Sequence, residues 1–489
     1  MNKNEYLKLI DEVCARGPFH ADWASLTDMK VPDWFKKQKF GIFIHWGLFS
    51  VPAFGNEWYS RNMYVKDSVE FKHHIETYGA HKDFGYKDFV PMFKAEKFDA
   101  DEWTEIFKKA GAKYIVPVAE HHDGFAMYNS DFTDWNAAKM GPHKDIIGEL
   151  KKSAENKGIV FATSSHRAEH YWFLGVGREF ESDIQGEFPE GHIYWPSVAA
   201  QPDMNDVHSP VASSKEFLDD WLVRCSEIVD KYRPKVMYFD WWIMHESYKD
   251  HLKKFMAYYY NRGREWGTDV TIIYKHDPVP FGAGVPDVER GKFATAQPYY
   301  WQTDTAIAYN SWCYTDSLDY KNADEILDYL VDVVSKNGNL LLNIGPKSDG
   351  TISDKDREIL FEIGDWLKVN GEAIYNSKPF KHSAEGPTKE AEGKFSDVKG
   401  KEYTHADFRF TCGNGAIYAI SLNYPEDGCL KIKTLANANV NTLEFQGIVK
   451  RVSVLGAGEA EFRQDSEALF VNGPKLKTNK PVVIKVETD

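Results

Sequence analysis

Residues 234–242, PKVMYFDWW, hold the side chain best placed to do chemistry. Val236, Met237, Tyr238 and Phe239 make a continuous apolar run, the pattern of a strand buried on both faces in a parallel sheet. The run ends on Asp240, with Trp241 and Trp242 directly behind it. A carboxylate at the carboxyl end of such a strand lies where α/β barrels keep their reacting groups. Its aromatic neighbours, Tyr238 among them, offer apolar faces to a sugar ring or a ligand of similar shape. The competing role for Asp240 is a cap on the next helix, and the rest of the chain decides between the two.

Other apolar runs end in the same way. His45 and Trp46 close residues 40–45 (FGIFIH), with Glu57 and Trp58 in the loop beyond. Glu120, His121, His122 and Asp123 follow residues 114–119 (YIVPVA), and Ser165 and His166 follow residues 159–163 (IVFAT). Lys275 and His276 follow residues 270–274 (VTIIY). One histidine at a strand end is ordinary. A His, Trp or carboxylate at nearly every strand end is not, because the strand ends of a barrel converge on one mouth. The pocket they would share is rich in neutral donors, acceptors and flat faces, and it suits a polyhydroxylated ring. His121, His122 and Asp123 also invite a Zn²⁺ or Fe²⁺ site. Adjacent residues on a strand point to opposite faces, which argues that the two histidines do not meet one ion, and no HExxH or HxH spacing occurs. Neither a metal nor another cofactor is expected.

The elements that must position these groups alternate. Helical patterns at residues 101–112, 144–157, 214–232, 251–266, 322–336 and 353–369 separate the apolar runs, with a polar insertion around residues 173–213. At least six strand–helix units before residue 370 predict a (β/α)8-like barrel. A doubly wound open sheet is disfavoured, since no GxGxxG follows any strand. From residue 378 the texture changes. Residues 385–400 (EGPTKEAEGKFSDVKG) are charged and aperiodic, and short runs at 408–411, 416–422, 429–432, 449–455, 468–471 and 482–486 predict a small antiparallel β-sandwich. The expected domains are residues 1–377 and 378–489, the second a scaffold packed on the barrel rather than a sugar-binding module.

Composition narrows the partners. A net charge of −15 over 489 residues leaves no basic stripe for nucleic acid. The 15% aromatic content is common in proteins that stack on carbohydrate, though large cores use aromatics too. The five cysteines lack CxxC or Cys/His spacing and read as reduced thiols. The amino terminus is charged without an apolar core, and no run reaches the length of a membrane span, so a cytoplasmic protein with no membrane partner is expected. Nothing in the sequence distinguishes a monomer from a homo-oligomer.

The stretches WFKKQKFGIFIHWGLFSVPAFGNEWYS, EHHDGFAMYNS, TDWN, GPHKDIIGEL and GNLLLNIGPKSDG, in order between residues 34 and 375, resemble the motif set of glycoside hydrolase family 29, the α-L-fucosidases. The resemblance implies a (β/α)8-like barrel followed by a β-sandwich. It also implies retaining hydrolysis of fucosylated oligosaccharides or glycoconjugates through a covalent glycosyl-enzyme, with no metal and no organic cofactor. Asp240 matches the family's nucleophile, and His45, Glu57, Trp58, His121 and His122 match positions around the fucose. The expected sugar-binding set also takes in Tyr238, His166, Lys275 and Trp301. Two departures stand out: Lys275 occupies the place of a family arginine, as a point donor rather than a fork, and His166 that of a tyrosine found in some relatives. A retaining glycosidase needs a second carboxyl about 5–5.5 Å from the nucleophile. Glu246, Asp277, Asp287 and Glu289 are the candidates. Glu289 is preferred because it lies in a Gly/Pro-rich loop ahead of YYWQTD, where relatives carry a Trp-Glu pair at a similar distance past their acid/base. Arg290 beside it should point away, since an inward cation would lower the acid's pKa. Two other readings stay open: a metal-dependent sugar isomerase or hydrolase using His45, His121 and His166, and a catalytically silent fucose-binding protein.

Overall fold

Runs that are apolar on both faces can be buried only inside a layered structure, and in the computed structural model they line up in one parallel sheet. The structure describes residues 1–438 and 440–489. The eight strands are, in chain order, Phe40–Ile44, Tyr114–Glu120, a third in two pieces (Val160–Phe161 and Thr163–Ser165), Val236–Phe239, Thr271–Tyr274, Val285–Pro286, Trp301–Ala306 and Gly338–Ile344. They pair in the order sixth, fifth, fourth, third, second, first, eighth, seventh. A parallel bridge between Asp287 and Gln302 joins the sixth to the seventh and closes the barrel. Phe43, Val116, Val118, Ala162, Tyr238, Ile273, Val285 and Leu341 fill its interior, all buried.

Helices cover the outside. That of Lys215–Tyr232 starts on Ser214, whose side chain accepts from the Phe217 N–H, and ends on Arg233 in the left-handed conformation just before Pro234. It buries Phe217, Trp221, Leu222, Cys225, Ile228 and Val229, and its stop sets where the fourth strand begins. Removing the Ser214 cap should cost about 1 kcal/mol. No helix among the described residues is long and apolar enough to cross a membrane.

The sixth and seventh strands escape the apolar pattern. The sixth is only Val285–Pro286. The seventh, WQTDTA, is buried along its whole length yet mostly polar. Its side chains satisfy one another or their neighbours: Gln302 Nε2 donates to Asp287 Oδ2 at 2.8 Å, Thr303 Oγ1 to the Val288 carbonyl at 2.9 Å, and the Tyr238 hydroxyl to Asp304 Oδ2 at 2.9 Å.

Beyond the barrel, Lys378–Glu385, Phe408–Gly413, Ala416–Ser421, Val482–Thr488, Val449–Val454 and Gly458–Glu459 form one antiparallel sheet, in that order. Cys429–Ile432, Leu469–Asn472 and Glu461–Gln464 form a second. Phe408, Phe410, Leu430, Ile432, Val452, Val471 and Ile484 make the core between them. The sandwich is fastened to the barrel by charge as well as packing. Arg409 Nε donates to Asp332 Oδ1 at 2.5 Å and its Nη2 to Glu390 Oε1 at 2.6 Å, all three side chains being buried. The charged stretch between the domains does not hang free: Gly393 and Lys292 exchange backbone hydrogen bonds of 3.0 and 3.3 Å.

Candidate active site

At the carboxyl ends of the strands lies a cavity of about 360 Å³ lined by His45, Glu57, Trp58, His121, His122, His166, Asp240, Lys275 and Glu289. It is large enough for a monosaccharide ring and falls within the usual range for ligand pockets. Asp304, Trp312, Trp241, His276, Met204, Asn205 and Phe395 complete the wall.

Lys275 holds the centre. Its Nζ is 3.2 Å from Asp240 Oδ1, 3.2 Å from Glu289 Oε1 and 3.2 Å from Asp304 Oδ2. Burial alone would lower the ammonium's pKa, but the three carboxylates raise it well above its usual value, so Lys275 stays charged. Burial likewise opposes the Asp240 carboxylate. Lys275 and then His166, whose Nδ1 donates to Oδ2 at 3.2 Å, outweigh that and hold Asp240 well below the ordinary carboxylate range. Glu289 goes the other way. Burial leads, the negative charges of Asp304 and Asp240 add to it, and Lys275 only partly compensates, so its pKa is raised to about 7. Two carboxyls with opposite shifts share one cation.

His122 and His45 are neutral acceptors. Burial drives His122 down to about 3 against the pull of Asp240. Its Nδ1 donates to the His166 carbonyl at 3.0 Å, which leaves Nε2 bare, 3.4 Å from Asp240 Oδ2. His45 is also held well below its usual pKa, by burial and then by His166. Its Nδ1 donates to Asn343 Oδ1 at 2.6 Å, and the Asn343 amide donates in turn to the Trp312 carbonyl at 2.6 Å, so His45 too keeps Nε2 as an acceptor. Glu57 accepts from the Trp312 N–H at 3.0 Å, and burial raises its pKa. Trp58 stands edge-on to His122, with ring centroids 5.8 Å apart.

Several sequence expectations need correction. His121 and His122 do share the cavity, with ring centroids 4.1 Å apart. The second strand ends at Glu120, so strand alternation no longer governs the two residues after it. Glu120 turns outward to Arg167 and Arg224, and Asp123 accepts from the Tyr86 hydroxyl at 2.6 Å, so neither carboxylate faces the cavity. Among the described residues, His45, His121 and His166 form one triplet able to approach a metal ion, and His122, His166 and Asp240 another. Tyr238 and Trp301 lie outside the cavity wall. Tyr238 belongs to the strand itself, and its side chain points into the barrel interior beneath the site. Trp301 is at the amino end of the seventh strand, away from the mouth, its indole N–H donating to the Lys336 carbonyl at 2.9 Å. Of the alternative acids, Glu246 is exposed and paired with His208, Asp277 is exposed, and Asp287 is buried against Gln302 below the site.

A family model described as Alpha-L-fucosidase matches residues 8–372. The chain belongs to the α-L-fucosidase family. Tissue α-L-fucosidase of Mus musculus is 29% identical over 484 residues, covering 96% of this chain and 93% of that protein. Plasma α-L-fucosidase of Homo sapiens is 33% identical over 427 residues, covering 84% and 80%. The crystal structure of Thermotoga maritima α-fucosidase in complex with a mechanism-based inhibitor matches with a TM-score of 0.75 at 29% identity, covering 96% of this chain and 99% of that one. The protein is therefore a glycoside hydrolase.

For an α-L-fucosidase, four residues of this site had no signal in the sequence strong enough to single them out. Asp304 sits in the polar seventh strand, and Trp312 in the loop after it. Glu169 is buried with both carboxyl oxygens lacking a hydrogen bond, 3.4 Å from His122 Nδ1, and burial raises its pKa well above the usual range. Phe395 comes from the inter-domain stretch. Trp312 is a loop residue just past a strand end, which the barrel rule could have flagged; Asp304, Glu169 and Phe395 become neighbours of the site only through folding. Arg290 does turn away from Glu289, its guanidinium lying over Trp312 and pairing with Asp397 at 3.2 Å.

Proposed function

We propose that the protein removes terminal α-L-fucosyl residues from oligosaccharides or glycoconjugates by double displacement, with retention of configuration. The observation that carries this is the shared contact of Asp240 and Glu289 with Lys275. Each carboxyl places an oxygen 3.2 Å from the same Nζ, so those oxygens lie within twice that distance of each other. That bound admits the separation of about 5–5.5 Å that a retaining pair keeps, whereas inverting pairs are spaced from about 6.5 Å upward. The pKa shifts support these roles: Asp240 is ionised and fit to attack, and Glu289, near 7, is fit to hold a proton and take it back.

In the first step Glu289 gives its proton to the glycosidic oxygen while Asp240 bonds to the anomeric carbon, and the leaving group departs as an alcohol. The fucosyl-enzyme so formed has the β configuration. Glu289, now a carboxylate, takes a proton from water, whose oxygen attacks the anomeric carbon and displaces Asp240. Two inversions return α-L-fucose. The bare Nε2 atoms of His45 and His122 accept from sugar hydroxyls, and Trp58 and Trp312 cover the ring's apolar parts. The T. maritima relative has been solved in complex with fucose.

The histidine triplets favour a second reading, a metal-dependent hydrolase or isomerase. Lys275 weighs against it: a buried ammonium 3.2 Å from Asp240 already neutralises the carboxylate of one triplet and repels a divalent ion there. A silent binding protein is disfavoured by the presence of both carboxyls in one cavity.

Azide chemistry tests the assignment. Asp240→Ala should lose several orders of magnitude in turnover, and azide, attacking once, should give the β-fucosyl azide. Glu289→Ala should lose far more on natural oligosaccharides than on an activated aryl fucoside, and azide intercepting the fucosyl-enzyme should give the α-azide. Identical azide anomers from the two variants, or near-normal turnover of Asp240→Ala, would reject the mechanism.

A further inference from the structure

The inter-domain stretch brings an otherwise unexplained side chain to the mouth of the site. Phe395 is 62% exposed and lines the cavity together with Met204, Trp241 and His276. Its backbone has φ +52°, a left-handed conformation that a bulky residue adopts only when held there. The backbone contacts that hold it are to the loop that carries the proposed acid. The Phe395 N–H donates to the Glu289 carbonyl at 2.9 Å, and the N–H groups of Ser396 and Asp397 donate to the Arg290 carbonyl at 2.7 and 3.1 Å. A Cβ on Gly291 would lie 2.0 Å from the Gly393 carbonyl oxygen, so the two segments touch only because position 291 has no side chain. Asp397 fastens the far end on Arg290, Thr305 and Lys321 at 3.2, 2.6 and 3.0 Å.

Folding gives no reason for this arrangement. An exposed phenyl ring adds little to the core, and the backbone beneath it costs on the order of 1–3 kcal/mol. The backbone that carries the ring is bonded to the backbone of Glu289, whose side chain must reach the leaving oxygen. Met204 and Trp241 extend the same apolar rim, and the Lys394 ammonium stands beside it, donating to His276 Nδ1 at 2.8 Å. The partner such a rim fits is a neutral ring attached to the scissile oxygen.

We infer that Phe395 is the platform of a leaving-group subsite, stacking on the C–H face of the pyranose or aryl ring next to the fucose, with the 393–397 segment setting that ring's position relative to Glu289. This rests on the hydrolase reading above, and the test separates the two. Wild type and Phe395→Ala are compared on α-L-fucosyl fluoride, which has no leaving-group ring, on methyl α-L-fucoside, and on an α-L-fucosyl disaccharide with a neutral hexopyranose. The loss in kcat/KM on the disaccharide should exceed that on the fluoride and the methyl fucoside by roughly tenfold, the size of one aromatic stacking contact. Phe395→Trp should restore the disaccharide rate. Equal losses on all three substrates, or a disaccharide rate that does not fall, would overturn the subsite. A wild-type protein that hydrolyses none of the three would overturn the hydrolase reading instead.

Discussion

Replacing Lys275 by methionine tests the electrostatics on which the site turns. The buried ammonium is 3.2 Å from an oxygen of each of Asp240, Glu289 and Asp304. At an effective dielectric of about 20, unit charges at that range interact by about 5 kcal/mol. Spreading the charge over the carboxylate, and admitting water to the vacated space, reduces this to about 3 kcal/mol, or about two pKa units. A nearby cation favours the charged form of both carboxyls, so its removal raises both pKa values. Asp240 should climb out of its depressed state, and Glu289 should rise above its present value of about 7. The active form has Asp240 ionised and Glu289 protonated. Both limbs of the bell-shaped kcat/KM profile should therefore move to higher pH, the alkaline limb by about two units. Methionine keeps most of the aliphatic stem while removing the ammonium that lies 5.8 and 5.5 Å from the Tyr238 and Trp312 ring centroids. The assay is kcat/KM from about pH 3 to about pH 10 on a substrate with a poor leaving group, so that the alkaline limb reports the acid. Limbs that stay in place, or move to lower pH, would refute the reasoning.

Other tests follow from the same geometry. Asp397→Asn should shift the alkaline limb the opposite way, because Arg290 loses its partner and can swing towards Glu289, lowering that group's pKa. The same variant leaves Lys321 buried without its countercharge and should lower stability by about 3 kcal/mol, read by denaturant unfolding. Dialysis against EDTA should leave turnover intact, since Lys275 already balances Asp240; loss restored by one divalent ion would reinstate the metal reading.

Much of this molecule is legible in its sequence because the relevant physics is local. A strand buried on both faces must be apolar throughout, so six of the eight barrel strands announce themselves as runs such as VMYF and LLLNI. Barrel geometry sends strand ends to one mouth, so His45, His121, His122, Asp240 and Lys275 can be grouped without seeing them together. Tertiary structure alone decided the rest. The seventh strand is polar because its partners, Asp287, Val288 and Tyr238, come from other strands and loops, and no pattern within WQTDTA reveals them. Which of Glu246, Asp277, Asp287 and Glu289 enters the cavity depends on how loops turn after the fourth to sixth strands, where no periodicity applies. That Tyr238 supports the site from below, two residues before Asp240, follows from the strand's alternation once its direction is known. The pKa values of Asp240 and Glu289 move apart because charges distant in the chain gather around one buried ammonium. Burial pattern is written residue by residue; the field at a buried carboxyl is a property of the assembled fold.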